Sequence, residues 1–264
     1  MGRTRRPAVA GTFYPGEPEA LAAAVRDLLA RAAPPGPGEP PPKAIIAPHA
    51  GYVYSGEIAA SAFARAAPRR GEVTRAVLLG PAHRVALRGL AAPGAERFAT
   101  PLGDVPVDRE ALEQVLALPQ VTTFDLAHAA EHSLEVQLPF LQALFPAARL
   151  VPLAVGDATP EEVAEVLELL WGGPETLVVV SSDLSHYHDQ ATARRMDAAT
   201  SRAIESLDPG AIGFEQACGR IPVQGLLVAA RRRGLCARAV DVRNSGDTAG
   251  PRDSVVGYGA YVFA

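Results

Sequence analysis

The chain has 264 residues, enough to bury a large core without disulfides or a structural metal. Its net charge of −4, with 48% hydrophobic and 20% charged residues, leaves no basic field for nucleic acid and no polar excess of the kind that keeps chains disordered. Cys218 and Cys236 form no CxxC pair, and no apolar run is long enough to span a membrane, so the expectation is a soluble protein of the reducing cytoplasm.

The first periodic stretch, EPEALAAAVRDLLARAA, places Leu21, Val25, Leu28 and Leu29 at helical spacing. It ends at a Pro-rich segment, 34–42, which predicts a stiff connector. The residues ahead of that connector are too few for a domain of their own, so this helix is expected to dock on the main body. KAIIA predicts a strand that Pro48 ends, and Gly51 reads as a tight turn. SGEIAASAFARAA predicts a helix capped by Ser55, and TRAVLLG a second strand. EHSLEVQLPFLQALF has helical spacing, weakened or kinked by Pro139. RLVPLAVGD and TLVVVSSD are further strands on either side of an amphipathic helix, PEEVAEVLELLW. Helices are predicted over 190–207, 209–218 and 222–233, and ARAVDV and VVGYGAYVFA close the chain as strands. Several strands are continuous apolar runs, the pattern of strands covered on both faces. The predicted class is α/β, a three-layer α/β/α sandwich around a largely parallel or mixed central sheet, in one domain over 1–264.

The histidines follow the strands. His49 comes directly after Pro48, His83 ends GPAH behind TRAVLLG, and His186 and His188 follow TLVVVSSD in LSHYH. Ligands of open α/β sheets bind at the carboxyl ends of the strands. If the strands are parallel neighbours, His49, His83 and His186 meet in one pocket suited to metal or acid–base chemistry. Asp183 shares the loop of His186, as an orienting carboxylate, a ligand or a simple turn residue. His188 is expected on the surface of the next helix. His128 and His132 lie in LAHAAEHSLE, and a helix there would put His132 and Glu135 on one face. Support for the pocket and an exposed helix start are both open for them. Cys218, in ACGRIPVQG, is the candidate thiolate or reactive thiol, and Cys236 reads as core packing. The sequence has no GxSxG, Walker A, GxGxxG or HExxH pattern, which removes support for a serine hydrolase, a P-loop enzyme and a zincin.

Taken in order, RRPAVAGTFYP, APHAGYVYSG, GPAH, EHSLEVQLPFLQ, SSDLSHY and CGRIP resemble the motifs of the Memo family. Its bacterial and archaeal members are called AmmeMemoRadiSam system protein B, after an association with AMMECR1-like and radical-SAM proteins. The family is similar in fold to the LigB-like class III extradiol dioxygenases, where two histidines and a glutamate hold Fe(II) and another histidine is the acid–base catalyst. The resemblance implies His49, His83 and Cys218 as metal ligands, with Asp183 and His186 completing the pocket and His186 in the place of the base. A cysteine where those dioxygenases carry a carboxylate softens the donor set, toward copper or zinc as well as iron, and ring cleavage is not implied. Three readings follow. The first is a metal-dependent redox enzyme using Fe(II) or copper on a small molecule. The second is a binding module that holds a peptide, anion or partner protein in the same pocket. The third is a zinc hydrolase with Asp183 or His186 as base.

Overall fold

A computed structural model describes residues 3–264. In chain order they form β1 (Thr4–Arg5), α1 (Pro18–Arg31), β2 (Ala44–Ala47), α2 (Tyr52–Ala66) and β3 (Arg75–Pro81). Next come β4 (Leu90–Ala92), β5 (Arg97–Thr100), β6 (Gly103–Pro106), α3 (Arg109–Val115), β7 (Val121–Thr123), α4 (Leu126–Ala129), α5 (Leu138–Leu144) and β8 (Arg149–Val155). The last part holds α6 (Pro160–Leu170), β9 (Thr176–Ser181), β10 (His186–His188), α7 (Gln190–Glu205), α8 (Arg220–Arg232), β11 (Ala237–Asn244), α9 (Ser245–Thr248) and β12 (Val255–Phe263).

The four apolar runs sit side by side, in the order β2-β9-β3-β8, and all are parallel. Every residue of β2 and β9 is buried, and in β3 and β8 only the first is not. Helices on both faces explain this. On one side α2 packs against β2, β11 and β12, with α1 laid on it; α8 covers β3 and β9 and carries α6. The helices α8 and α6 cross closely at Gly225, where a Cβ would stand 2.3 Å from Val163. Antiparallel β12 and β4 extend the sheet beyond β2 and β8, and β11 and β10 both pair with β12. The result is a mixed sheet in a three-layer α/β/α sandwich.

The expected docking of the first helix is seen, since α1 packs on α2 and α5. Segment 34–42 has no regular structure but is tied down: Glu39 pairs with Arg65 at 2.7 Å, and Arg69 donates to the Pro42 carbonyl at 2.7 Å.

Several local expectations are corrected. The α2 helix starts at Tyr52, with Gly51 as its N-cap at φ −55°, so Gly51 adopts no left-handed turn. Ser55 lies inside the helix, where its buried hydroxyl donates to the Ala50 carbonyl. Pro139 sits in the first turn of α5, where the missing N–H breaks no hydrogen bond and no kink results. The residues before it form a turn and a 3-10 segment, Glu135–Gln137, so His132 and Glu135 do not share a helix face. Of 209–218 only Pro209–Ala211 is helical, as a 3-10 turn. His188 belongs to β10, not to a helix. The strands β4 to β7 went unforeseen; β5 and β6 join β1 in a separate small sheet that anchors the N-terminal segment.

Candidate metal centre

Strand β9 lies between β2 and β3, with Ala47 level with Ser181 and Leu79 level with Val180. Two residues past the ends of these strands, at Ala47, Ser181 and Pro81, the chain delivers His49, Asp183 and His83 at the same edge. The rings of His49 and His83 are 5.2 Å apart, and both approach His132, at 5.4 and 4.9 Å. One ring nitrogen from each of His49, His83 and His132 lies within 4.8 Å of the other two.

Hydrogen bonding fixes which nitrogens are free. Ser181 donates its single proton to the Ser133 carbonyl at 2.6 Å and accepts from Gln137 Nε2. Toward His49 Nδ1, at 2.8 Å, it can therefore only accept, so Nδ1 carries the proton and Nε2 is bare. His83 Nδ1 donates to Glu131 Oε1 at 2.9 Å, which leaves Nε2 as the ring atom available to a metal. His186 Nδ1 faces the Leu184 carbonyl at 2.8 Å, with the same result. His132 Nδ1 is buried without a hydrogen-bond partner among the described residues, 3.4 Å from Glu131 Oε1.

Burial keeps the rings of His49 and His132 neutral. Burial pushes His49 down to about 3 and His132 down to about 4. Burial alone would raise Glu131, but the His83 ring and the backbone N–H groups of Ser133 and His83 outweigh it and hold the carboxyl at about 2. Burial also raises Asp183, against the His49 N–H that donates to its Oδ1 at 2.7 Å. Neutral imidazoles with bare Nε2 atoms are the metal-binding form of histidine.

Cys218 is placed by the turn before α8. Its Sγ accepts from the Asp183 N–H at 3.3 Å and lies 3.4 Å from His49 Nε2. Burial pushes its thiol up, so without a cation beside it the sulfur is protonated. The three-histidine group leaves Cys218 out, although the sulfur touches His49. His186, half-buried in β10, shares with Cys218 the wall of a cavity of about 930 Å³. The other walls are mostly apolar, among them Val85, Leu87, Val155 and Ile221, with Asp157, His188 and Glu215 also on the lining, and Phe214 stands at the mouth, 84% exposed, beneath the Arg220 guanidinium.

Sequence reasoning left two members of this site out or undecided. His132 had been balanced between support and an exposed helix start; it is in the cluster. Glu131 had drawn no attention, yet it receives the N–H groups of His83, His132 and Ser133 as well as the His83 ring. The adjacency of Glu131 to His132 ahead of an apolar run was the available signal. His128 is structural: it is buried, bonds the Ala91 carbonyl at 3.0 Å and packs edge-on against Phe98. Glu135 points away from the cluster, toward Arg5, Tyr14 and the N–H groups of Ala8 and Val9.

An α/β sandwich that gathers imidazoles, a thiol and buried carboxylates at the carboxyl edge of its parallel strands has the architecture of a ligand or metal site. The chain matches the Memo-like protein family over residues 5–262 and belongs to it. MEMO1 family proteins of Thermotoga maritima and Archaeoglobus fulgidus are each 37% identical to it, covering 96% and 98% of this chain and 97% and 99% of theirs. That of Aquifex aeolicus is 35% identical, over 99% of both chains. A looser likeness, TM-score 0.46 at 12% identity, covers 83% of this chain and 98% of an uncharacterized Escherichia coli K12 protein of known structure; it is too loose to bear on function.

Proposed function

We propose that this Memo-like chain is a metal-dependent protein, holding Fe(II) or copper on His49, His83 and Cys218 and carrying out redox chemistry on a small, largely apolar molecule in the cleft. The observation that supports it is the pair of bare Nε2 atoms on His49 and His83, each fixed by a bond to its own Nδ1. The sulfur also suits the reading. A nitrogen and a sulfur held tetrahedrally at about 2.0 and 2.3 Å stand about 3.5 Å apart, near the 3.4 Å observed. Mixed imidazole and thiolate donors suit iron, copper and zinc alike, so zinc is the alternative to measure. A bound iron or copper ion would supply Lewis acidity and electron transfer. The chain's own residues do the rest. Ser181 and Glu131 orient the two rings, and Asp183 holds the His49 backbone and, through its own N–H, the sulfur. His186, with its free nitrogen at the cleft wall, accepts or returns a proton. The apolar walls exclude water from the occupant.

The test is an element-specific metal measurement on protein purified without oxygen, followed by calorimetry. About one equivalent of iron or copper is expected; His49→Ala should lose it and Cys218→Ala should bind it more weakly than the parent. Metal binding equal to the parent's in both variants would remove the proposal. A second reading, a binding module for a peptide, anion or partner protein, draws support from the roomy cleft and the exposed Phe214 at its mouth. It predicts that His49→Ala and Cys218→Ala keep the same partners as the parent. Association with AMMECR1-like and radical-SAM proteins is part of the proposal too, and co-purification from cells tests it.

A further inference from the structure

We infer that the pocket holds a second metal position, made of three imidazoles and independent of sulfur: His49, His83 and His132. It rests on the reading of this pocket as a metal centre but assigns the third ligand differently. Two nitrogens bound to one ion at about 2.1 Å stand no more than about 4.2 Å apart. Three nitrogens sharing one ion tetrahedrally stand about 3.4 Å apart, and these three already lie within 4.8 Å of one another, so side-chain shifts of at most about 0.8 Å for each ring close them on a single ion.

The surroundings hold the rings for this. Glu131 Oε1 accepts both the His83 ring N–H and the backbone N–H of His132, so one carboxylate sets the two histidine-bearing loops against each other. The rings of His83 and His132 are stacked at 17°, and His49 stands edge-on to both. His132 alone in this group has a buried ring nitrogen with no hydrogen-bond partner among the described residues, and a cation in the pocket gives that side chain a role. His49 belongs to both positions, because its bare Nε2 also faces the Cys218 sulfur.

The two donor sets therefore share His49 and His83 and differ in one atom: a soft sulfur or a third nitrogen. Three imidazoles suit Fe(II), Ni(II) and Zn(II), whereas the thiolate set draws copper(I) and zinc. The pocket thus accepts a divalent ion even when Cys218 takes no part.

Anaerobic titration with Co(II) separates the two positions, because sulfur ligation adds a charge-transfer band while the d–d bands report any ligand set. The proteins are the parent, Cys218→Ala, and Cys218→Ala combined with His132→Gln, each checked for a parent-like circular dichroism spectrum. The sulfur band should vanish in Cys218→Ala while affinity falls by about tenfold or less, and adding His132→Gln should cost about a hundredfold or more. If Cys218→Ala abolishes binding, or His132→Gln changes nothing in that background, the three-imidazole position is wrong and the His49, His83 and Cys218 centre stands. If Co(II) binds equally in the parent and Cys218→Ala without a sulfur band, and His132→Gln removes it, the thiolate centre falls and this one stands. A parent that binds no Co(II) overturns both. His132→Gln keeps a polar side chain of similar reach, so lost binding in a folded variant reports the lost imidazole.

Discussion

The two walls of the pocket are built on opposite terms. Behind His83 and His132 lie two buried carboxyl groups, each saturated with donors: Glu131 holds both histidine loops, and Glu135 gathers Arg5, Tyr14 and two backbone N–H groups. The wall of Cys218 and His186 has far less. One N–H steadies the sulfur, one carbonyl steadies the imidazole, and most of the rest is apolar surface ending in an exposed phenylalanine. Fully satisfied buried polar networks hold side chains in one place, whereas apolar walls with few polar anchors leave room for an occupant to set the fit. One wall positions and the other receives.

Substitutions should expose that division. Glu135→Ala strands the Arg5 guanidinium in the interior and is expected to cost about 3–5 kcal/mol in urea unfolding, the largest single effect. Tyr14→Phe removes only the hydroxyl that donates to Glu135 and should cost about 1.5–3 kcal/mol, read from the same denaturation curve. Glu131→Gln should weaken metal binding about 10- to 100-fold by calorimetry, since the carboxylate orients the His83 ring. The same variant should change the acid limb. The folded pKa of Glu131 is depressed from 4.5 to about 2, so its stabilisation is full above about pH 4.5 and is lost as the pH falls toward 2. Stability measured across that window should fall less steeply in Glu131→Gln than in the parent. On the receiving wall, Phe214→Ala should alter unfolding by less than about 0.5 kcal/mol, because the ring is solvent-exposed. A large loss there would mean that this wall is structural after all.

Much of the framework was legible because burial on both faces leaves its mark directly in the strands: KAIIA, TRAVLLG, RLVPLAVGD and TLVVVSSD became the parallel centre of the sheet. The exits of three of them carry His49, His83 and Asp183 to one edge, whereas His186, expected to meet His49 and His83, lies in β10 on the wall of the cleft and outside the three-histidine group. His132 and Glu131 follow no strand. They enter from a turn that only the tertiary fold brings over β3, so no local pattern could rank them. The strands β4 to β7 are three or four residues each, too short for alternation to register. The start of α2 was misjudged because Tyr52 to Tyr54 look like loop residues; Gly51 caps the helix without any side-chain bond. The likeness in motif order pointed to His49, His83 and Cys218, and geometry brings Cys218 against His49 while also drawing in a third imidazole.

The placement of β9 has a kinetic consequence. It lies between β2 and β3, which are made much earlier in the chain, so those two strands share no neighbour until Thr176–Ser181 has slotted in. Before that step only the 131–137 segment, bonded to Pro48 and Pro81, links the exits that carry His49 and His83, and Cys218, 169 residues beyond His49, emerges later still. Contacts this distant along the chain form slowly, after the local helices. A ligand offered to a growing chain therefore finds no completed pocket, and its full uptake marks the completion of the sheet rather than its beginning.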